Sequence, residues 1–135
     1  MGTLEEWFDS PGDTESRAIR KVGEHLWVGG EKDKPGNRVL VDVRNLPESP
    51  PSAAAISVSG VDTKMRRIDR AIKSGKDVLV RCKVGVSRSP TIAKLYLSGL
   101  GEKFNASGYF PNRQWKTFAE EHKAYYKDRR WDKSK

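Results

Sequence analysis

The single cysteine of the chain, Cys82, heads the segment Cys82-Lys83-Val84-Gly85-Val86-Ser87-Arg88-Ser89-Pro90. Asp77-Val78-Leu79-Val80-Arg81 precedes it, and Ile92, Leu95 and Tyr96 follow at helical spacing, so it reads as the turn from a buried strand into a helix. No proline occurs from residue 83 to 89, and every backbone N–H there is free to turn inward. Gly85 permits a left-handed turn that a side chain would resist. Successive N–H groups curled ahead of a helix N-terminus form a concave anion site, aided by the helix dipole. Arg88 adds a planar fork that grips two oxygens of one oxyanion at once, which lysine cannot do. The same positive surroundings favour thiolate over thiol and make Cys82 a nucleophile near neutral pH. Lys83, Val84, Gly85, Val86 and Ser87 then line a phosphate cradle with sulfur at its base. The plainer reading is a buried filler cysteine beside an exposed helix-start cation.

Such a cradle needs strands and helices to hold it. His25–Gly30 is an apolar run bounded by glycines, and Arg38–Val43 is nearly all apolar, as in a strand covered on both faces. Ala53–Ser59 reads as a third strand and Asp77–Arg81 as a fourth. Lys64–Ser74 reads as a helix ended by Gly75, with Met65, Ile68 and Ile72 on one face. Ser89 stands as the N-cap of the next helix, with Pro90 at its first position and Gly99 at its end. Asn112 opens a last helix whose Trp115, Phe118, Ala119 and His122 share a face, and the aromatic members read as core. Leu4, Trp7 and Phe8 make a short helical pattern near the N-terminus. Strands interleaved with helices predict an α/β fold, a central, mostly parallel sheet of four to five strands flanked by helices. Ligands in such sheets bind beyond the carboxyl ends of the strands, which is where Cys82 falls.

Composition narrows the function classes. The 135 residues make one domain, 36% apolar, too rich for a disordered chain. No apolar run approaches the ~20 residues that span a bilayer. One cysteine excludes an internal disulfide framework and any multi-cysteine zinc site. The first 16 residues hold five acids and no Lys or Arg, unlike a secretory leader, and a cytoplasmic setting is expected. Net charge is +8, and the acidic start leaves +13 on residues 17–135. That field raises encounter rates with anions without choosing among phosphoproteins, nucleic acid and acidic membranes.

Cys82 to Arg88 followed by Ser89 resembles the Cys-x5-Arg-Ser/Thr signature of the protein tyrosine phosphatase superfamily, and Gly85–Pro90 resembles its dual-specificity branch. His25–Gly29, Thr91–Leu97 and Phe110–Trp115 are similar, in the same order, to that branch's first strand, post-loop helix and late helix. The resemblance implies a compact dual-specificity-phosphatase-like fold and hydrolysis of phosphomonoesters through a cysteinyl-phosphate. Cys82 is then the nucleophile, and Arg88 with the loop amides holds the equatorial oxygens. Ser89 hydrogen-bonds the sulfur, and no metal or organic cofactor is called for. The general acid of the family sits on a loop before the signature strand, and Asp62 occupies that place, twenty residues ahead of Cys82. Asp62 is otherwise an N-cap for the Lys64 helix. One departure is Arg81, where the family has histidine.

These readings divide the chain into an acidic leader (1–21), a phosphatase domain (22–125) and a basic tail (126–135). A phosphorylated protein is the expected partner, carrying phosphotyrosine or phosphoserine/threonine. RNA 5′ ends and phosphoinositides stay open as substrates on the same loop, as does a catalytically weak phosphate-binding module.

Overall fold

A computed structural model describes residues 19–83, 87–104, 111–129 and 131 of the chain. The Leu4, Trp7 and Phe8 pattern lies outside the described residues, as do Val84, Gly85, Val86 and Phe110.

Four strands make one sheet: β1 (Arg20–Gly23), β2 (Leu26–Gly29), β3 (Val39–Asp42) and β4 (Val78–Arg81). Their order is β1-β2-β4-β3. The first two form an antiparallel hairpin around Glu24 and His25, while β2 and β3 each run parallel to β4. Val78, Leu79 and Val80 are fully buried, as a strand with neighbours on both edges and cover on both faces requires.

Three helices are described: α1 (Val58–Lys73), α2 (Arg88–Leu100) and α3 (Arg113–Lys127). Helix α1 lies on β3 and β4, and α2 on β2 and β4; α3 packs against α2 and against a 3-10 turn at Ala53–Ala55. Val61, Met65, Ile68 and Ala71 form the buried stripe of α1. Trp115, Phe118, Ala119 and Tyr126 form that of α3. The side chain of Asn112 caps α3 by accepting from the Trp115 N–H at 3.0 Å, as its sequence predicts. No helix among the described residues is long and apolar enough to cross a membrane.

Four local expectations need correction. Ala53–Ser59 is not a strand: three alanines take a 3-10 turn, and Ser57 accepts from the Gly60 N–H at 3.0 Å to start α1. That serine, not Asp62, is the cap, and α1 begins six residues before the predicted Lys64. Helix α2 starts at Arg88 and runs past Gly99 to Leu100, so Ser89 lies inside its first turn. The boundaries of the domain also move. Strand β1 begins at Arg20, inside the expected leader, and Tyr126 and Trp131, inside the expected tail, are 0% and 6% exposed. Gly99 makes the latter possible, because a Cβ there would fall 2.6 Å from the Trp131 ring and 2.7 Å from the Tyr126 carbonyl oxygen.

Candidate active site

The carboxyl ends of three strands meet at one edge of the sheet. Gly29 and Asp42 both pair with Arg81, the last residue of β4. The ladder continues one step further, with the Cys82 N–H donating to the Gly29 carbonyl at 3.2 Å. The Cys82 backbone is thereby fixed by the sheet itself. Gly29 has a second duty: a Cβ there would stand 2.6 Å from Asp33 Oδ2, the atom that accepts the Gly30 N–H at 2.8 Å. Only glycine lets that loop close against the strand.

Arg81, at the position where the sequence resemblance leads one to expect histidine, is held on both sides. Its Nη1 donates to the Asp33 carbonyl and its Nη2 to Asp42 Oδ2, each at 3.1 Å. Asp42 also receives Arg44, whose Nη2 lies 2.8 Å from Oδ2. Partial burial works to raise the Asp42 carboxyl, but hydrogen bonds from Arg44 and Arg81 outweigh it and hold the group down at about 2. The burial cost of a guanidinium at a strand end is thus offset by an ionised partner.

The sulfur and the arginine of the motif lie together at the start of α2. Cys82 Sγ is 3.3 Å from Ser89 Oγ, and that hydroxyl lies 3.3 Å from the Gly29 carbonyl, to which it can donate. Cys82 is 2% exposed, so its sulfur is covered, but one face of it meets a hydroxyl. Arg88 is 5% exposed, not the surface cation of the plainer reading. Its Nη1 donates to the Arg44 and Leu46 carbonyls at 3.0 and 2.8 Å, and its Nη2 lies 3.4 Å from Glu48 Oε1. The buried Nε has no partner. Two carbonyls therefore fix one amino group, while on the other edge Nη2 meets Glu48 and only Nε is without a partner. A planar fork of this kind matches two oxygens of a tetrahedral anion.

Ser87 and Lys83 complete what is described of the loop. Ser87 Oγ accepts the Asn112 N–H at 3.1 Å, and the Ser87 carbonyl receives the Thr91 N–H at 3.1 Å. The cradle is thereby tied to the start of α3. Lys83 is exposed, and its carbonyl accepts the Glu31 N–H at 2.8 Å.

Glu48 escaped the sequence reading. It lies in the segment after β3 that holds Pro47, Pro50 and Pro51. Trp115 Nε1 donates to the Pro47 carbonyl at 2.9 Å, and Asn112 Nδ2 to that of Glu48. These two anchors hold the carboxylate over Arg88, with a side chain 48% exposed.

Asp62 is placed elsewhere. It is an interior residue of α1, 8% exposed, and Oδ2 accepts from the Tyr125 hydroxyl at 3.2 Å, with Arg129 Nη1 at 3.7 Å. Burial, reinforced by the Asp62 charge, also pushes the Tyr126 phenol up. Its carboxylate thus faces the far end of α3, whereas the near end of that helix touches Ser87. Neither the loop position nor the cap expected of Asp62 is what the fold gives it.

No group of three or more potential metal ligands is found among the described residues. His25 bonds Asp77 at 2.9 Å, and His122 stacks on Phe118 with ring centres 4.3 Å apart.

Neither a protein-family model nor a curated protein sequence matches the chain. Solved structures do. A human tyrosine phosphatase-like serine/threonine/tyrosine-interacting protein is 15% identical, with TM-score 0.60 over 80% of this chain and 97% of its own. A mouse protein assigned as a dual specificity phosphatase, solved with zinc tungstate, is 15% identical, with TM-score 0.63 over 90% of this chain and 98% of its own. A protein of Shewanella putrefaciens assigned as a phosphatase of the DUF442 class is 18% identical, with TM-score 0.57 over 82% and 94%. At these identities the likeness speaks to architecture, and the architecture is an α/β layer of the dual-specificity-phosphatase-like type.

Proposed function

We propose that the protein is a cysteine-dependent phosphatase that hydrolyses phosphomonoesters on proteins, phosphotyrosine and phosphoserine/threonine alike. The observation that carries this reading is the Arg88 guanidinium, 5% exposed and aimed by the Arg44 and Leu46 carbonyls, with its Nε unpartnered. Its one carboxylate contact, Glu48 at 3.4 Å, is partly exposed, so a phosphate dianion that displaces it would fill both Nε and Nη2.

In the mechanism, Cys82 thiolate attacks phosphorus in line, and the S–P bond forms as the ester P–O bond breaks. Arg88 and the amides of 83–87 receive the equatorial oxygens as their charge shifts. Ser89, at 3.3 Å from the sulfur, donates to it as thiolate leaves in the second step, when water takes the phosphoryl group. The proton for the departing oxygen comes from a carboxyl group, and we assign it to Glu48 in place of Asp62. When phosphate takes the Arg88 edge, Glu48 is released from it, is protonated and gives that proton to the leaving oxygen. Its carboxylate then takes the proton of the attacking water in the second step. Glu48 stands on a partly exposed loop beside Arg88, whereas Asp62 is buried toward Tyr125.

Turnover of phosphopeptides and of a simple aryl phosphate tests the reading. Wild type hydrolyses both, and Cys82→Ser hydrolyses neither; hydrolysis by Cys82→Ser near the wild-type rate would end it. Glu48→Gln keeps the contact to Arg88 but has no proton to give. It is expected to slow phosphoserine peptides by roughly 10²-fold or more and a good phenolate leaving group far less. If Asp62→Asn shows that pattern and Glu48→Gln does not, the acid is Asp62.

A further inference from the structure

Strand β3 is one edge of the sheet among the described residues, and α1 lies beside it. Between them runs a groove that opens at Asp42, Arg44 and Asn45, next to the carbonyl that holds Arg88. Lys64 and Arg67 line its near half, together with Leu40. Arg67, Arg70 and Lys76 line the continuation past Val39. Arg67 belongs to both halves, so the cations form one path leading away from the cradle.

Asp42 is the one carboxylate lining it among the described residues, and it is already held by Arg44 and Arg81. Lys64, Arg67, Arg70 and Lys76 form no ion pair with a described carboxylate. Arg70 near the end of α1 has an ordinary explanation in the helix dipole. Lys64 does not, since it stands in the second turn. Burial first, then the charge of Arg67, pushes its ammonium down, with Asp42 opposing. Two like charges held together at a groove wall are relieved by an anion.

We infer that this groove between β3 and α1 binds an acidic stretch flanking the phosphorylated residue of the protein substrate. The inference rests on the phosphatase reading above and names its substrate class. An extended peptide suits the site because the outer edge of β3 has no strand partner among the described residues. Alternate side chains of such a peptide would then reach the α1 cations. Single-stranded nucleic acid suits it less, because the described lining has no aromatic ring for bases to stack on. Trp27, the nearest candidate in the sheet, is covered by Arg38 and Lys21.

The test compares the wild type with Lys64→Gln/Arg67→Gln, two surface-facing changes away from the catalytic residues. Wild type is expected to turn over a phosphopeptide with flanking Asp and Glu about three- to tenfold faster, in kcat/KM, than one with neutral flanks. That preference shrinks as salt rises. The double variant loses the preference and keeps its aryl phosphate activity. Equal kcat/KM for the two peptides in wild type, or an undiminished preference in the variant, would overturn the inference. Fluorescence anisotropy with an unphosphorylated acidic peptide separates the two readings. Binding that weakens in the variant supports the groove even if no phosphate is released. Binding of a labelled RNA oligonucleotide in preference to the acidic peptide, lost in the same variant, would also overturn it.

Discussion

That Cys82, Arg88 and Ser89 meet at a strand-to-helix turn was legible in the sequence, because the apolar strand and the helical spacing after it are written in type and order. Arg88 is the most exacting of them. On the proposed reading its two carbonyl anchors leave one edge for substrate, and lysine has neither the geometry nor the donors to replace it. Arg88→Lys is expected to lower kcat/KM for an aryl phosphate by roughly 10²–10³-fold, read from steady-state rates. A loss under fivefold would show that the fork is not the cradle. Gly29→Ala probes the floor of the site, since the new Cβ would collide with Asp33 Oδ2 at 2.6 Å. Displacing Asp33 loosens the Arg81 anchor and the carbonyl that receives Cys82 and Ser89, so activity falls although residue 29 touches no substrate. The positions of Glu48 and Asp62 were not legible, because whether a carboxyl group faces the site depends on where its loop or helix is pinned by distant residues.

At the scale of elements, strands β2 and β4 and the last helix followed from pattern alone. The stretch 53–59 did not. Its alternating small and branched residues suit a strand, but three alanines tolerate a 3-10 turn, and Ser57 makes a better helix start than a strand interior. Helix α3 organises the site from its N-terminus. Asn112 caps it, donates to the Glu48 carbonyl through its side chain and donates to Ser87 Oγ through its backbone N–H. Asn112→Ala removes the cap and the loop anchor together. It is expected to cost about 1 kcal/mol of stability, measured by urea unfolding. Phosphoserine peptide turnover should fall more than aryl phosphate turnover, because the Glu48 loop is released. An equal fall in both would show that the loop needs no anchor for proton transfer.

The whole molecule closes through its C-terminal residues, which the charge of the tail disguised. Tyr126 and Trp131 are buried among apolar residues, and Trp131 lies 5.8 Å from the Tyr96 ring. Trp131→Ala is expected to cost roughly 3–5 kcal/mol, a large part of the stability of a small domain. An unchanged thermal midpoint would place the indole outside the core. Acid stability has its own signature. Asp42 titrates at about 2, below the ordinary carboxylate value of 3.8, so its contribution is complete above that ordinary value and is lost as pH falls through 2. The Asp42→Asn variant is therefore expected to be less stable than wild type at neutral pH, with the gap narrowing between about pH 4 and 2. A gap that stays constant across that window would mean that folding does not lower the Asp42 pKa.

The covalent step tests the account most directly. Rapid acid quench during turnover of an aryl phosphate, followed by mass analysis of the peptide that holds Cys82, is expected to show one phosphoryl group on that sulfur in wild type and none in Cys82→Ser. Steady product release with no phosphorylated Cys82 peptide at any quench time would contradict it.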